Sequence, residues 1–310
     1  MASQSTLRTI FKSEEYASSF KRGEMVTHVF AEKLVEQSKV VNSNADPNQP
    51  LVVLDNACGA GVVSSVLNQQ LDPNAKKSLK LTCGDISPAV LKYTQSRMEE
   101  ENWQTAETQT VDAQSPGLPS SFYDYIFTAF AYMALPESIK ALDETVRMLK
   151  PGGTIAFSTW KESEWRPQKP SICKDTNPLK AGWIPIARKA IESISKDLPF
   201  PGSAELLAAL SDGDWHSVAW IKSQLEQRGF EDIEVRVETA TTSLESSVFV
   251  DMTMFMLPVV MKYFWSEEQR EKYESEVRTA LAKAVEDIFG RDQDTVTEWE
   301  AIISTARKSS

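Results

Sequence analysis

Apolar residues set the rhythm of the chain. Over residues 14–36, Tyr16, Phe20, Val26, Val29, Phe30, Leu34 and Val35 recur mostly at steps of three or four, the period of one helix face, with Gly23 expected to break the helix in two. After a polar, proline-containing stretch at 42–50, the run Leu51-Val52-Val53-Leu54 has the continuous apolarity of a strand covered on both faces. Gly59-Ala60-Gly61 follows, and then Val62, Val63, Val66, Leu67 and Leu71 return to helical spacing. The alternation continues with strands predicted at 78–83, 105–111, 123–129 and 154–159 and helices at about 87–101 and 136–149. Ser87-Pro88 supplies a cap and a proline in the first helical position. Strands alternating with helices imply a parallel sheet joined by right-handed crossovers.

Beyond Trp160 the pattern lapses. Residues 161–182 are polar, contain Pro167, Pro170 and Pro178, and show no period, so they read as a long inserted loop. Helices are predicted at 184–195, 203–210 and 217–228, the last ended by Gly229. A strand follows at 230–237, then a mostly helical stretch at 244–289 and a closing strand at 299–305. The fold expected is α/β, a Rossmann-like, seven-stranded, mostly parallel sheet with helices on both faces. An N-terminal helical cap (1–50) precedes a ligand-binding core (51–160) and the loop (161–182). The remainder (183–310) carries a helical lid (244–289), with Met252, Met254, Met256 and Met261 on it, and the closing strand.

Composition and charge narrow the function. A formal charge of -11 opposes the counterion release that drives nucleic-acid binding. Three distant cysteines (Cys58, Cys83, Cys173) match neither a disulfide framework nor paired zinc spacing, and two histidines (His28, His216) exclude a three-histidine metal cage. No metal partner is expected. The most apolar stretch, 248–265, is cut by Asp251, Thr253, Pro258 and Lys262 and reads as too polar and short to cross a bilayer, so no membrane is expected. Arg8, Lys12, Glu14 and Glu15 interrupt any secretory apolar region, which points to a cytoplasmic address.

The chemistry concentrates where strands end. Asp55 closes the first strand just ahead of Gly59 and Gly61. The glycines let a ligand approach the backbone, while the third glycine of the dinucleotide pattern is replaced by Ser64. A carboxylate in front of that turn repels pyrophosphate and suits a cation, which favours the sulfonium and ammonium of S-adenosylmethionine over NAD. Asp85 ends the second strand, where an acid can take ribose hydroxyls or serve the following helix cap. Asp112 ends the third, placed either for the adenine amino group or as a solvated turn residue. Cys58 reads as a small turn-filling residue without chemistry.

Residues 53–61 with Cys83-Gly84-Asp85, Val111-Asp112-Ala113 and Leu149-Lys150-Pro151-Gly152-Gly153 resemble the ordered motifs of class I S-adenosylmethionine-dependent methyltransferases over about half the chain. Lys80-Leu81-Thr82-Cys83-Gly84-Asp85 and Leu198-Pro199-Phe200-Pro201 extend the likeness, over most of the length, to fungal gliotoxin-type thiomethyltransferases. The resemblance implies the cofactor S-adenosyl-L-methionine, held by Asp55, Asn56, Ala57, Gly59, Gly61, Asp85, Ile86, Asp112, Ala113 and Phe130. It implies a small-molecule partner, the reduced dithiol of an epidithiodioxopiperazine. O- or N-methylation of another metabolite, or donor binding without catalysis, stand as the alternatives. Residues 166–183 depart from the family pattern, as a lineage-specific loop or, the reading favoured, translated intron sequence. Tyr16, Phe20, Tyr132 and Trp160 are candidate walls of the acceptor pocket, or else ordinary core. A thiol of pKa near ~8.5 is already a few per cent ionised at neutral pH and needs little help, whereas a phenol near ~10 asks for a base. His28 and Tyr132 are the candidates for that role, each with packing as the plainer alternative.

Overall fold

The computed structural model describes residues 14–42, 50–161 and 182–310, with Lys12 and the pair Leu179–Lys180. In chain order the elements are α1 (Glu14–Ser38), β1 (Leu51–Asn56), α2 (Val62–Gln70), α3 (Pro73–Ser78), β2 (Leu79–Asp85), α4 (Pro88–Glu100), β3 (Ala106–Thr110), β4 (Tyr123–Ala129), α5 (Ser138–Met148) and β5 (Leu149–Trp160). They continue as β6 (Leu179–Lys180), α6 (Ile184–Ile194), α7 (Ser203–Leu210), α8 (Val218–Gln227), β7 (Phe230–Leu244), α9 (Ser246–Phe264), α10 (Glu267–Phe289) and β8 (Thr295–Lys308). All seven expected strands form, and the two-residue β6 is an addition.

Among the described residues two compact units form: 14–42, 50–161, 210–238 and 301–310 make the first, and 179–180 and 182–209 with 239–300 the second. In the first unit β1 pairs in parallel with β2 on one side and β4 on the other, β2 with β3, and β4 with β5. The path from β1 therefore runs outward through β2 and β3 and then returns to the opposite flank at β4. That reversal leaves a crevice beyond the carboxyl ends of β1 and β4, where doubly wound sheets take their ligands. β8 lies antiparallel to β5, from Thr154↔Arg307 to Trp160↔Ala301.

α1 is one uninterrupted helix, and Gly23 does not break it. It belongs with the ligand-binding core, packing on α2, α4 and β5 through Val26, Phe30, Ala31, Leu34 and Val35. Its far side is tied to later chain: Lys33 Nζ meets Glu238 Oε2 at 2.7 Å, and Gln37 Nε2 donates to the Glu234 carbonyl and Thr305 Oγ1. The side chains of Tyr16 and Phe20, and nearly all of the 161–182 segment, lie outside the described residues. α3 goes beyond the sequence reading. Asp72 caps it, accepting from the Asn74 and Ala75 amides with Pro73 behind, the same device as Ser87-Pro88 in α4.

In the second unit α10 packs on α6 and α9, and β6 pairs with β8 at Leu179↔Thr297. Contrary to the reading of 248–265 as too short and polar, α9 is long and apolar enough to cross a membrane by length and composition alone. Phe249, Val250, Leu257, Val259, Val260 and Met261 are nevertheless buried, as in a core helix, and Asp251 pairs with Arg278 of α10. Met252, Met254 and Met256 are half-buried.

Candidate functional site

The turn after β1 is built on left-handed backbone. Ala57 has φ 56°, Gly59 φ 56° and Gly61 φ 76°. A Cβ on Gly61 would come within 3.1 Å of Thr94 Cγ2 and 3.2 Å of the Trp103 ring, so both the torsion and the space call for glycine. Gly59 is held from both ends: its N–H donates to Asp85 Oδ2 at 3.0 Å, and its carbonyl accepts from Thr94 Oγ1 at 2.7 Å. The Asp85 Oδ1 atom accepts from the Ser87 amide at 2.9 Å, and Ser87 itself caps α4. Asp85 thus ties the first strand end to the second while each oxygen keeps a lone pair for a further donor such as a ribose hydroxyl.

Asp55 and Asn56 are 1% and 0% exposed, which decides their chemistry. Asp55 Oδ2 accepts from Ser64 Oγ at 2.6 Å and the Ser64 amide at 3.2 Å, whereas Oδ1 and both polar atoms of the Asn56 amide have no partner. Burial pushes the Asp55 carboxyl up to about 6, against the Ser64 hydrogen bonds, and the Asp85 charge adds to the rise. Burial likewise raises Asp85, opposed by the amides of Ser87, Gly59 and Ile86. Two buried acids beside unsatisfied polar atoms make a site whose free energy falls when a cation with hydrogen-bonding groups enters. The residues present fit S-adenosylmethionine on that ground.

The third strand end joins them. The Val111 amide donates to the Asp85 carbonyl at 2.9 Å, setting Asp112 next in line. Asp112 is half-buried and opens a turn: its Oδ1 accepts from the Gln114 amide, and its carbonyl from the Ser115 amide. Ala113 is buried and Ile86 half-buried. Cys58 has the inert setting of a structural thiol. A hydrogen bond from its own thiol to Cys83, together with burial, holds it well above the usual thiol range. Cys173 lies outside the described residues.

Aromatic rings occupy the ends of β4 and β5. Phe130, at φ 53° just past β4, stacks on Trp160 at 4.1 Å between centroids, and Phe30 of α1 meets both rings edge-on. Tyr132 is not in this group. It is fully buried, stacked on Trp215 at 4.7 Å and hydrogen-bonded to Thr145 Oγ1, and burial pushes its hydroxyl up to about 12. It is core, neither a base nor a pocket wall. His28 stands on the surface of α1 with 42% of its side chain exposed, 3.7 Å from Glu32. The sequence reading passed over His216, whose Nδ1 lies 2.7 Å from the Trp160 carbonyl oxygen. Its only signal in the sequence is the scarcity of histidine.

Comparison with known proteins agrees with this geometry. The family description "Methyltransferase domain" matches residues 53–153. The chain is 40% identical to acetylaranotin bis-thiomethyltransferase of Aspergillus terreus, over 97% of each protein. It is 34% identical to methyltransferase tpcH of Aspergillus fumigatus, over 97% of this chain and 99% of that one. Among solved structures, phosphoethanolamine N-methyltransferase 2 of Haemonchus contortus, complexed with phosphomonomethylethanolamine and S-adenosylhomocysteine, superposes with a TM-score of 0.55. At 13% identity, the match covers 98% of this chain and 61% of that one and supports the fold alone.

Proposed function

The chain belongs to the S-adenosylmethionine-dependent methyltransferases, and on that premise we propose that it S-methylates the reduced dithiol of a small epidithiodioxopiperazine-type metabolite. The observation that carries the acceptor assignment is the 40% identity, across nearly the whole chain, to a bis-thiomethyltransferase. Bound at the strand ends, the cofactor supplies a methyl group already activated by a sulfonium leaving group. The protein's work is then alignment and exclusion of water, for which good positioning is worth effective molarities of about 10⁵–10⁸ M.

The residues divide that work between them. Asp55 and Asn56, with unpaired polar atoms, would hold the cationic end of the donor, Asp85 would take its ribose hydroxyls, and Asp112 would take its adenine amino group. The Phe130–Trp160 stack would offer the acceptor a flat, apolar wall of the kind a small heterocycle requires.

Incubating the purified protein with methyl-labelled donor and, separately, a reduced alkyl dithiol, a phenol and an amine tests the assignment. Label is expected on the dithiol. Label confined to the phenol or the amine moves the activity to O- or N-methylation, and intact donor binding with label on none of them removes catalysis.

A further inference from the structure

We propose that Glu101, just past the end of α4, is a positioning residue for the donor, holding in place the glycine turn and the acid that receive it. That role rests on the donor reading of the strand ends and holds whichever acceptor is methylated. The way α4 ends brings the carboxylate there. Asn102 takes left-handed backbone, φ 55°, and the Trp103 amide bonds back to the Met98 carbonyl at 2.9 Å, wrapping the helix end. The Trp103 indole comes to rest with its Nε1–H donating to Glu101 Oε2 at 3.0 Å. Backbone bonds close the helix by themselves, so the carboxylate is not needed as a cap.

Two parts of the donor site meet on this side chain. The first is the glycine turn. The Trp103 ring is buried and lies where a Cβ on Gly61 would be 3.2 Å away, so the indole that Glu101 fixes forms the back of that turn. The second is the opening of α2. Gly61 gives that helix no side-chain cap, and two consecutive serines tie its first turn down instead. Ser64 Oγ donates to Asp55 Oδ2 at 2.6 Å, while Ser65 Oγ lies 2.7 Å and 2.9 Å from the two Glu101 oxygens. The Ser65 amide also bonds to the Gly61 carbonyl at 2.9 Å. The first turn of α2 is thus held between two carboxylates. A shift at Ser65 moves Ser64, and with it the hydrogen bonds that leave Asp55 Oδ1 unpaired for the donor.

Glu101 keeps its place because its charge is answered. Arg97 Nε, one helical turn earlier, lies 3.6 Å from Glu101 Oε1, and Arg97 Nη2 donates to Glu24 Oε2 of α1 at 2.6 Å. The Arg97 and Glu24 side chains are only 16% and 15% exposed, so salt screens this pair less than a surface one. The same guanidinium therefore joins the N-terminal helix to the support of the donor turn.

Calorimetry of S-adenosylmethionine binding, denaturant unfolding and steady-state rates test this. Glu101→Ala is expected to raise the donor Kd about tenfold while kcat at saturating donor stays within about twofold, since the reacting atoms are untouched. Glu101→Gln keeps one acceptor oxygen and should recover part of the loss; it also serves should the alanine variant not fold. Ser65→Ala should weaken donor binding alone and add nothing in the Glu101→Ala background, where its hydrogen bond is already gone. Asp72→Ala, which removes the cap of α3 beyond the other end of α2, is the control: it should lower the unfolding midpoint with the donor Kd unchanged. An unaltered Kd in the Glu101 variants, a loss confined to kcat, additive losses at Ser65 and Glu101, or equal weakening by Asp72→Ala overturns the role. Wild-type protein that binds no donor sinks the donor reading and this proposal together, whereas a binding wild type with unaltered Glu101 variants sinks this proposal alone.

Discussion

Asp55 shows how one buried side chain couples protons, stability and ligand. Its folded value of about 6 lies above the ordinary aspartate value of ~3.9 expected in the unfolded chain. Below about pH 4 both states hold the proton and there is no penalty. As pH rises to about 6 the unfolded chain has released it while the folded one resists, so this contribution falls by about 3 kcal/mol in total. Urea unfolding of donor-free protein should therefore show the wild type losing stability relative to Asp55→Asn across that window and running parallel to it above. Donor binding near pH 6 should expel a proton, read as a heat that changes with the buffer's ionisation enthalpy. Asp85→Ala is expected to weaken donor binding by about 1.5–3 kcal/mol and to lower stability as well, since the amides of Gly59 and Ser87 lose their acceptor. Unchanged affinity by calorimetry would end its ribose role. These acids are legible in the sequence because strand, acid and glycine turn are neighbours there. His216 is not, because its partner is 56 residues away and only the folded sheet joins them.

Among the elements, two glycines make a controlled comparison. Gly61→Ala meets both a left-handed torsion and the Thr94 and Trp103 side chains, and should cost about 1–3 kcal/mol in chemical denaturation together with donor affinity. Gly23→Ala, in mid-helix with nothing within 4 Å of the new methyl, should stabilise by about 0.5–1 kcal/mol. The expected break at Gly23 fails for a related reason: the residues after it bury a continuous face, and packing outweighs one glycine's propensity. α3 escapes a reading by periodicity although Asp72-Pro73 repeats the cap seen at Ser87-Pro88, because its six residues carry no apolar period. β7 runs on to Leu244, beyond the predicted 237, where Thr239 to Leu244 offer threonines rather than an alternating apolar signal.

For the whole molecule, the parallel core follows from alternation alone, while the division into units does not, since it depends on contacts far apart in sequence. Trp215 is the test of that long-range organisation. Trp215→Ala removes a buried indole stacked on Tyr132 and bonded to Ser138, and should cost about 3–5 kcal/mol in denaturant unfolding. A cost well under that range would show that the segment before α8 is not anchored as described.

The helix at residues 14–38 is fastened to chain that comes more than two hundred and fifty residues later, through Gln37 and Thr305, and the strand bearing Thr305 closes the sheet against β5. A ribosome making this protein must therefore synthesise past residue 305 before those early residues find all their permanent neighbours. Until then Gln37 lacks its Thr305 partner, and a message shortened near its 3′ end loses that fastening of the helix.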